Sequence, residues 1–119
     1  MTNVLVVEDS AMEAQKITNC LTKQGFAVSG AGSSEEAQLR LQQKQPDLIL
    51  LDVMLPGQSG FEFCRQLKAN PSTKSIPVVI CSTKNTAVDK EWGNMSGADG
   101  YVTKPFDETT LIQTVNQFI

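Results

Sequence analysis

The chain has 119 residues, 40% of them hydrophobic and 19% charged, which suits one compact domain against a prior of roughly 150 residues per domain and is too rich in core formers for a disordered chain. Ten basic and 13 acidic side chains leave a formal net charge of −3, which gives no general attraction to nucleic acid or to an anionic membrane. Histidine is absent, and that excludes histidine general-base catalysis, Cys/His zinc sites and Ser-His-Asp triads.

The first apolar run, Val4-Leu5-Val6-Val7, reads as a strand and ends in Glu8-Asp9. The acidic pair arrives without a basic leader or a small-residue cleavage site, so a signal peptide is not expected. Ser10 is an N-cap candidate for a first helix carrying Ile17, Cys20 and Leu21, with Gly25 as its stop. A weaker strand over Ala27 to Ala31 follows, then a helix opened by Ser33 or Ser34, carrying Ala37 and Leu41 and closed by Pro46. Leu48-Ile49-Leu50-Leu51 is the third strand and runs into Asp52. A third helix starts near Gly60 and places Phe61, Cys64, Leu67 and Lys68 on successive turns before Asn70-Pro71. Val78-Val79-Ile80-Cys81 is the fourth strand, ending in Ser82-Thr83. Val88, Trp92 and Met95 at i, i+4 and i+7 mark a fourth helix that stops near Gly97. Tyr101-Val102 forms a short fifth strand before Lys104-Pro105, and Asp107 caps a last helix with Leu111, Val115 and Phe118 on one face.

Runs that are apolar at every position belong to strands buried on both faces. Five strand-helix units in series therefore predict an α/β fold, a parallel sheet with helices on both faces and right-handed crossovers. No apolar run approaches the roughly 18 residues that would span a bilayer. Cys20, Cys64 and Cys81 fall at unrelated spacings without a CxxC pair, which fits a reducing cytoplasm and small buried hydrophobes. Met12, Phe61, Phe63 and Met95 are expected to pack in the interior, and Trp92 either there or on a docking surface.

In open parallel sheets ligands bind beyond the carboxyl ends of the strands. Glu8, Asp9, Asp52, Ser82, Thr83 and Lys104 are all predicted at those ends. Clustered carboxylates repel one another unless a cation compensates them. Mg²⁺ fits an all-oxygen set without histidine or clustered thiolates. Asp52, alone at the end of an apolar strand, is the candidate nucleophile for phosphoryl transfer, with Glu8 and Asp9 sharing the metal, Lys104 supplying a second positive charge and Ser82 a hydroxyl donor. The plainer alternatives are that Glu8 and Asp9 cap the first helix, that Ser82 caps the fourth, and that Tyr101 is a packing residue.

VLVVEDS at 4–10, PDLILLDVMLPGQSGFEFCRQLK at 46–68, IPVVICST at 76–83 and GADGYVTKPF at 97–106, in this order and spacing, resemble the receiver domains of two-component response regulators, especially single-domain members of the chemotaxis and twitching-motility type. The resemblance covers essentially the whole chain, 1–119. It implies a doubly wound (βα)5, flavodoxin-like three-layer sandwich with strand order 2-1-3-4-5. It further implies Asp52 as phosphoacceptor, Glu8, Asp9, Asp52 and the Met54 backbone carbonyl as ligands of Mg²⁺, Ser82 and Tyr101 as switch residues, and Lys104 as the active-site lysine before a cis peptide bond to Pro105. Implied partners are a histidine kinase or phosphotransfer protein upstream and, downstream, a protein target on the face built from the fourth helix, fifth strand and fifth helix. Such a chain would be a cytoplasmic signalling domain, not an enzyme acting on other substrates, without nucleic-acid or membrane partners, and a monomer or a phosphorylation-dependent dimer. Thr83, Met54 and Lys84 depart from the usual residues at positions flanking the phosphoryl group. A receiver-like protein-interaction scaffold that works without phosphate is the alternative. An aspartate-nucleophile phosphatase is disfavoured because Ser10-Ala11 stand where a second acid is needed. A nucleotide binder is disfavoured because Glu8-Asp9 would repel phosphate after the first strand.

Overall fold

The computed structural model describes residues 2–83 and 87–119. Strands and helices alternate in the order β1 Asn3–Val7, α1 Ala11–Lys23, β2 Ala27–Ala31, α2 Ser34–Gln43, β3 Leu48–Asp52, α3 Gly60–Ala69, β4 Val78–Ser82, α4 Ala87–Met95, β5 Gly100–Thr103 and α5 Glu108–Gln117. All four strand pairings are parallel and the sheet order is β2-β1-β3-β4-β5. The doubly wound architecture expected from the sequence is the one observed.

Local chemistry sets the boundaries. Ser10, Ser33, Ser59 and Asp107 each accept the backbone N–H three residues on and so cap α1, α2, α3 and α5, each cap contributing about 1 kcal/mol. Gly25, at φ 90°, takes the left-handed conformation that ends α1. Every residue of β3 and β4 is buried, as the unbroken apolar runs require. Alternation along the strands then divides the interior in two. Val4, Val6, Leu48, Leu50, Val79 and Cys81 meet Ile17, Cys20 and Leu21 of α1 and Leu111 and Val115 of α5 on one face. Leu5, Val7, Ile49, Leu51 and Val78 meet Ala37 of α2 and Phe63, Cys64 and Leu67 of α3 on the other.

Several expected packing residues are not in that interior. Met12 and Met95 are 73% and 71% exposed; Trp92, expected either inside or on a surface, is 54% exposed. In α3 the fully buried aromatic is Phe63, whereas Phe61 is half-buried and lies against Trp92 with ring centroids 6.3 Å apart. The apolar spacing on α4 does mark one face, but Val88, Trp92 and Met95 present that face outward. All three cysteines are free and buried, as expected. Among the described residues no helix is long and apolar enough to cross a membrane.

Register decides what stands at the carboxyl edge. Val7 pairs with Leu51, Asp52 with Cys81 and Ser82 with Thr103. The residues that follow β1 and β5 and the last residues of β3 and β4 therefore line one edge. β1 lies between β2 and β3, so the order reverses beside β1 and β3, where a crevice opens in folds of this kind.

Candidate functional site

Glu8, the first residue after β1, is buried, and its backbone N–H donates to Ala31 O at 2.9 Å. Its Oε2 accepts the Ser10 N–H at 3.3 Å, which ties the carboxylate to the start of α1. Asp9 beside it is exposed. Asp52 closes β3, is itself buried, and its Oδ1 accepts the Val53 N–H at 2.8 Å. Gly60 fixes what lies behind Asp52. A Cβ at this first position of α3 would stand 2.0 Å from the Asp52 carbonyl oxygen, so only glycine lets the helix start so close to the end of β3.

One carboxylate oxygen each from Glu8, Asp9 and Asp52 lies within 4.8 Å of the others. Lys104 follows β5 and joins them. Its backbone N–H donates to Ser82 O at 2.7 Å, and the peptide bond to Pro105 is cis, as the family resemblance implied. The Lys104 ammonium makes a close ion pair with Glu8 Oε1, lies 2.6 Å from Glu13 Oε2 and 3.8 Å from Asp52 Oδ1. Residues from three separated parts of the chain are thus joined at the edge of the sheet.

The electrostatics follow from this crowding. Burial, with a contribution from the neighbouring Asp52, pushes the Glu8 carboxyl up to about 7 even though Lys104 pulls the other way. Burial works against the charge on Lys104, but bonds from Glu13 and Glu8 and the charge of Asp52 hold its ammonium well above the ordinary lysine range. The bond from Lys104 holds Glu13 below the ordinary carboxylate range. Burial pushes the Cys81 thiol up to about 12, so it offers no thiolate here.

Of the residues singled out by sequence, Glu8, Asp9, Asp52 and Lys104 converge. Ser82 is completely buried as the last residue of β4, next along from the register partner of Asp52, which places it in a strand and not at a helix cap. Tyr101 is half-buried in β5 opposite Ile80. Met54, two residues past Asp52, turns its side chain to solvent, and Thr83 is exposed. Lys84 lies outside the described residues. Glu13 was missed, although a signal existed. It precedes Ile17 by four residues, so it continues the buried stripe of α1 beyond the sheet and toward the strand ends.

Two acidic oxygen donors, a buried terminal aspartate and a buried lysine form an arrangement for handling a tetrahedral anion beside a hard cation. Protein PilH of Pseudomonas aeruginosa is 41% identical over 116 residues, covering 98% of this chain and 96% of PilH. The phosphate regulon transcriptional regulatory protein PhoB of Rhizobium meliloti is 36% identical over 98% of this chain, which spans about half of PhoB, 51% of its length. Among solved structures, the Vibrio cholerae chemotaxis protein CheY4 superposes with a TM-score of 0.94 at 31% identity, covering 100% of this chain and 99% of CheY4. Residues 4–116 match the response regulator receiver domain, and the chain belongs to that family.

Proposed function

We propose that the protein is a phosphorylation-switched signalling domain in which Asp52 accepts a phosphoryl group from a phosphohistidine on a histidine kinase or phosphotransfer protein. The observation that carries this reading is the convergence of the Glu8, Asp9 and Asp52 oxygens beside the Lys104 ammonium. An Asp52 oxygen attacks phosphorus, the P–N bond of the donor breaks, and its electron pair stays on the donor imidazole. The chain has no histidine, so the donor histidine lies outside these 119 residues. Val53 N–H holds one Asp52 oxygen and leaves the other to react. Lys104 provides a buried positive charge beside the developing phosphoryl oxygens.

The donor set fits a hard divalent cation. Three carboxylates stand together, no nearby thiol is available as thiolate, and Mg²⁺ takes oxygen ligands and retains waters. Glu8, Asp9 and Asp52 would hold it, with the Met54 backbone carbonyl as a further ligand, and when bound it neutralises charge on the phosphoryl group. Ser82 and Tyr101 serve as the switch residues, on β4, which pairs with the strand of Asp52, and on β5 beyond it. The output is a change in affinity for a protein target on the face of α4, β5 and α5, in motility or taxis signalling, in the cytoplasm. The domain catalyses only its own phosphorylation and dephosphorylation.

Intact mass after incubation with Mg²⁺ and acetyl phosphate, alongside Asp52→Asn, tests the reading. One added phosphoryl group on the wild type alone is expected. No addition to a folded wild type would leave a scaffold that works without phosphate.

A further inference from the structure

The Lys104 ammonium is engaged by two carboxylates, neither of which is the phosphoacceptor. Glu8 makes the buried contact. Glu13 makes the second at 2.6 Å, while Asp52 at 3.8 Å stands outside hydrogen-bonding reach. The Lys104 side chain is 9% exposed and that of Glu13 is 45% exposed. The pair therefore joins a fixed, desolvated cation to an anion that solvent can reach and that sits on the first turn of a separate helix, α1.

A phosphoryl group on Asp52 would carry more charge and more acceptor oxygens than the bare carboxylate, so it competes with Glu8 and Glu13 for the position of the Lys104 ammonium, which now sits against those two and 3.8 Å from Asp52. Glu8 is the harder partner to leave, because it is buried beside Lys104 and water cannot reach it to take the place of the ammonium. Glu13 is the cheap one, since water can take over the solvation of a half-exposed carboxylate.

We propose that Glu13 is a positioning residue that holds Lys104 back from Asp52 in the resting state, so that the Lys104–Glu13 ion pair opposes, and is broken by, phosphorylation of Asp52. This rests on the phosphoacceptor reading of Asp52 given above. Glu13 touches neither the donor nor the reacting oxygen. It acts through Lys104, and it sets how much of the intrinsic pull between Lys104 and the phosphoryl group is spent on release. The depressed titration of Glu13 agrees with a pair formed in the resting state. The placement of Glu13 is local to this helix. Ser10 accepts the Glu13 N–H at 3.4 Å, and Ile17, one turn further, is buried against the sheet, so the Glu13 side chain is directed to the strand ends.

The test is the affinity for fluoroberyllate, a tetrahedral phosphoryl mimic, measured by isothermal titration in saturating Mg²⁺ on the full chain. Wild type, Glu13→Gln and Glu13→Asp are compared, with ¹⁹F spectra confirming one bound species. Removing an ion pair with one exposed partner is expected to raise affinity in Glu13→Gln about fivefold, and to slow loss of the phosphoryl group from Asp52 by a similar factor in the intact-mass assay.

Glu13→Asp separates contact from field. It keeps the charge but is one methylene too short for the 2.6 Å contact, so it is expected to follow Glu13→Gln. Unchanged affinity in Glu13→Gln overturns the proposal, as does a Glu13→Asp indistinguishable from wild type. A merely structural role at the start of α1 would lower the unfolding midpoint and leave the fluoroberyllate affinity where it was. Glu13→Ala serves if the Gln variant misfolds. A wild type that takes neither phosphoryl group nor fluoroberyllate refutes the phosphoacceptor reading itself. A wild type that is phosphorylated on Asp52 at a rate and affinity that Glu13→Gln and Glu13→Asp do not change refutes only the part given to Glu13.

Discussion

Raising the pH from 5 to 8 with divalent cations removed by EDTA is expected to destabilise the folded protein, and Glu8 is the reason. Burial raises its carboxyl from an ordinary 4.5 to about 7, so between those values the folded state keeps a proton that the unfolded chain releases. The stabilisation is fully present below about 4.5 and is lost as the pH rises through about 7. A rise of about 2.5 units corresponds to at most about 3 kcal/mol at 1.36 kcal/mol per unit. At about 4 °C per kcal/mol for a chain of this length, the midpoint would fall by about 10 °C. There is no histidine, burial raises all three thiols, Lys104 stays protonated throughout, and the lowered Glu13 titrates below the window. Thermal unfolding followed by circular dichroism at constant ionic strength, wild type against Glu8→Gln, reads the effect. The wild type should lose midpoint with pH and the variant should be nearly flat. Saturating Mg²⁺ should stabilise more at pH 7.5 than at pH 5.5, because binding must displace the Glu8 proton. A wild-type midpoint that is level or rising from pH 5 to 8, or one that falls equally in Glu8→Gln, refutes the argument.

Gly60→Ala is expected to cost about 1–3 kcal/mol, because the new Cβ would meet the Asp52 carbonyl oxygen at 2.0 Å and the small helix-propensity gain of alanine cannot offset a backbone clash; a denaturant midpoint equal to wild type would contradict that close approach. Trp92→Ala is expected to change stability by less than about 0.5 kcal/mol, since the indole is largely in solvent beside Phe61; a chemical-denaturation loss above about 2 kcal/mol would mean that the residue packs inside. A thiol-specific disulfide reagent should react slowly with the native protein and with all three cysteines once it is unfolded, because each thiol is buried and raised. Rapid labelling of any one in the native state would show a more open site than the packing allows.

Much of the fold could be read from local signals. β3 and β4 announce themselves as all-apolar runs because both faces are covered, and the serine and aspartate caps mark helix starts within one residue. The errors concern coverage. Helical spacing says which side chains share a face, and Val88, Trp92 and Met95 do share one, but it does not say whether another element lies over that face. On α4 that face stays largely in solvent, with Phe61 of α3 against Trp92. The same limit placed Phe61 inside together with Phe63. The two are neighbours in a Phe-x-Phe pair, and only the rotation of α3 against Leu5, Ile49 and Leu51 selects which ring goes inside.

The site was legible for a different reason from the fold. Its main members end strands, and a strand end that turns from apolar to charged is conspicuous in sequence whatever the chain does next. Glu8, Asp9, Asp52 and Lys104 were visible on that ground alone, and the parallel register Val7 with Leu51 and Asp52 with Cys81 is what converts four separate endings into one cluster. Glu13 belongs to no strand end. It reaches Lys104 across 91 residues only because Ile17, Cys20 and Leu21 turn one side of α1 onto the sheet and bring the residue four before Ile17 to the edge. A buried stripe that runs off the end of a helix into a charged residue is thus a signal in its own right: the packing that hides the stripe also fixes where the charge must go. In this chain it goes to Lys104, 3.8 Å from Asp52, which makes the orientation of α1, and not only the identity of the strand-end residues, part of the geometry of the site.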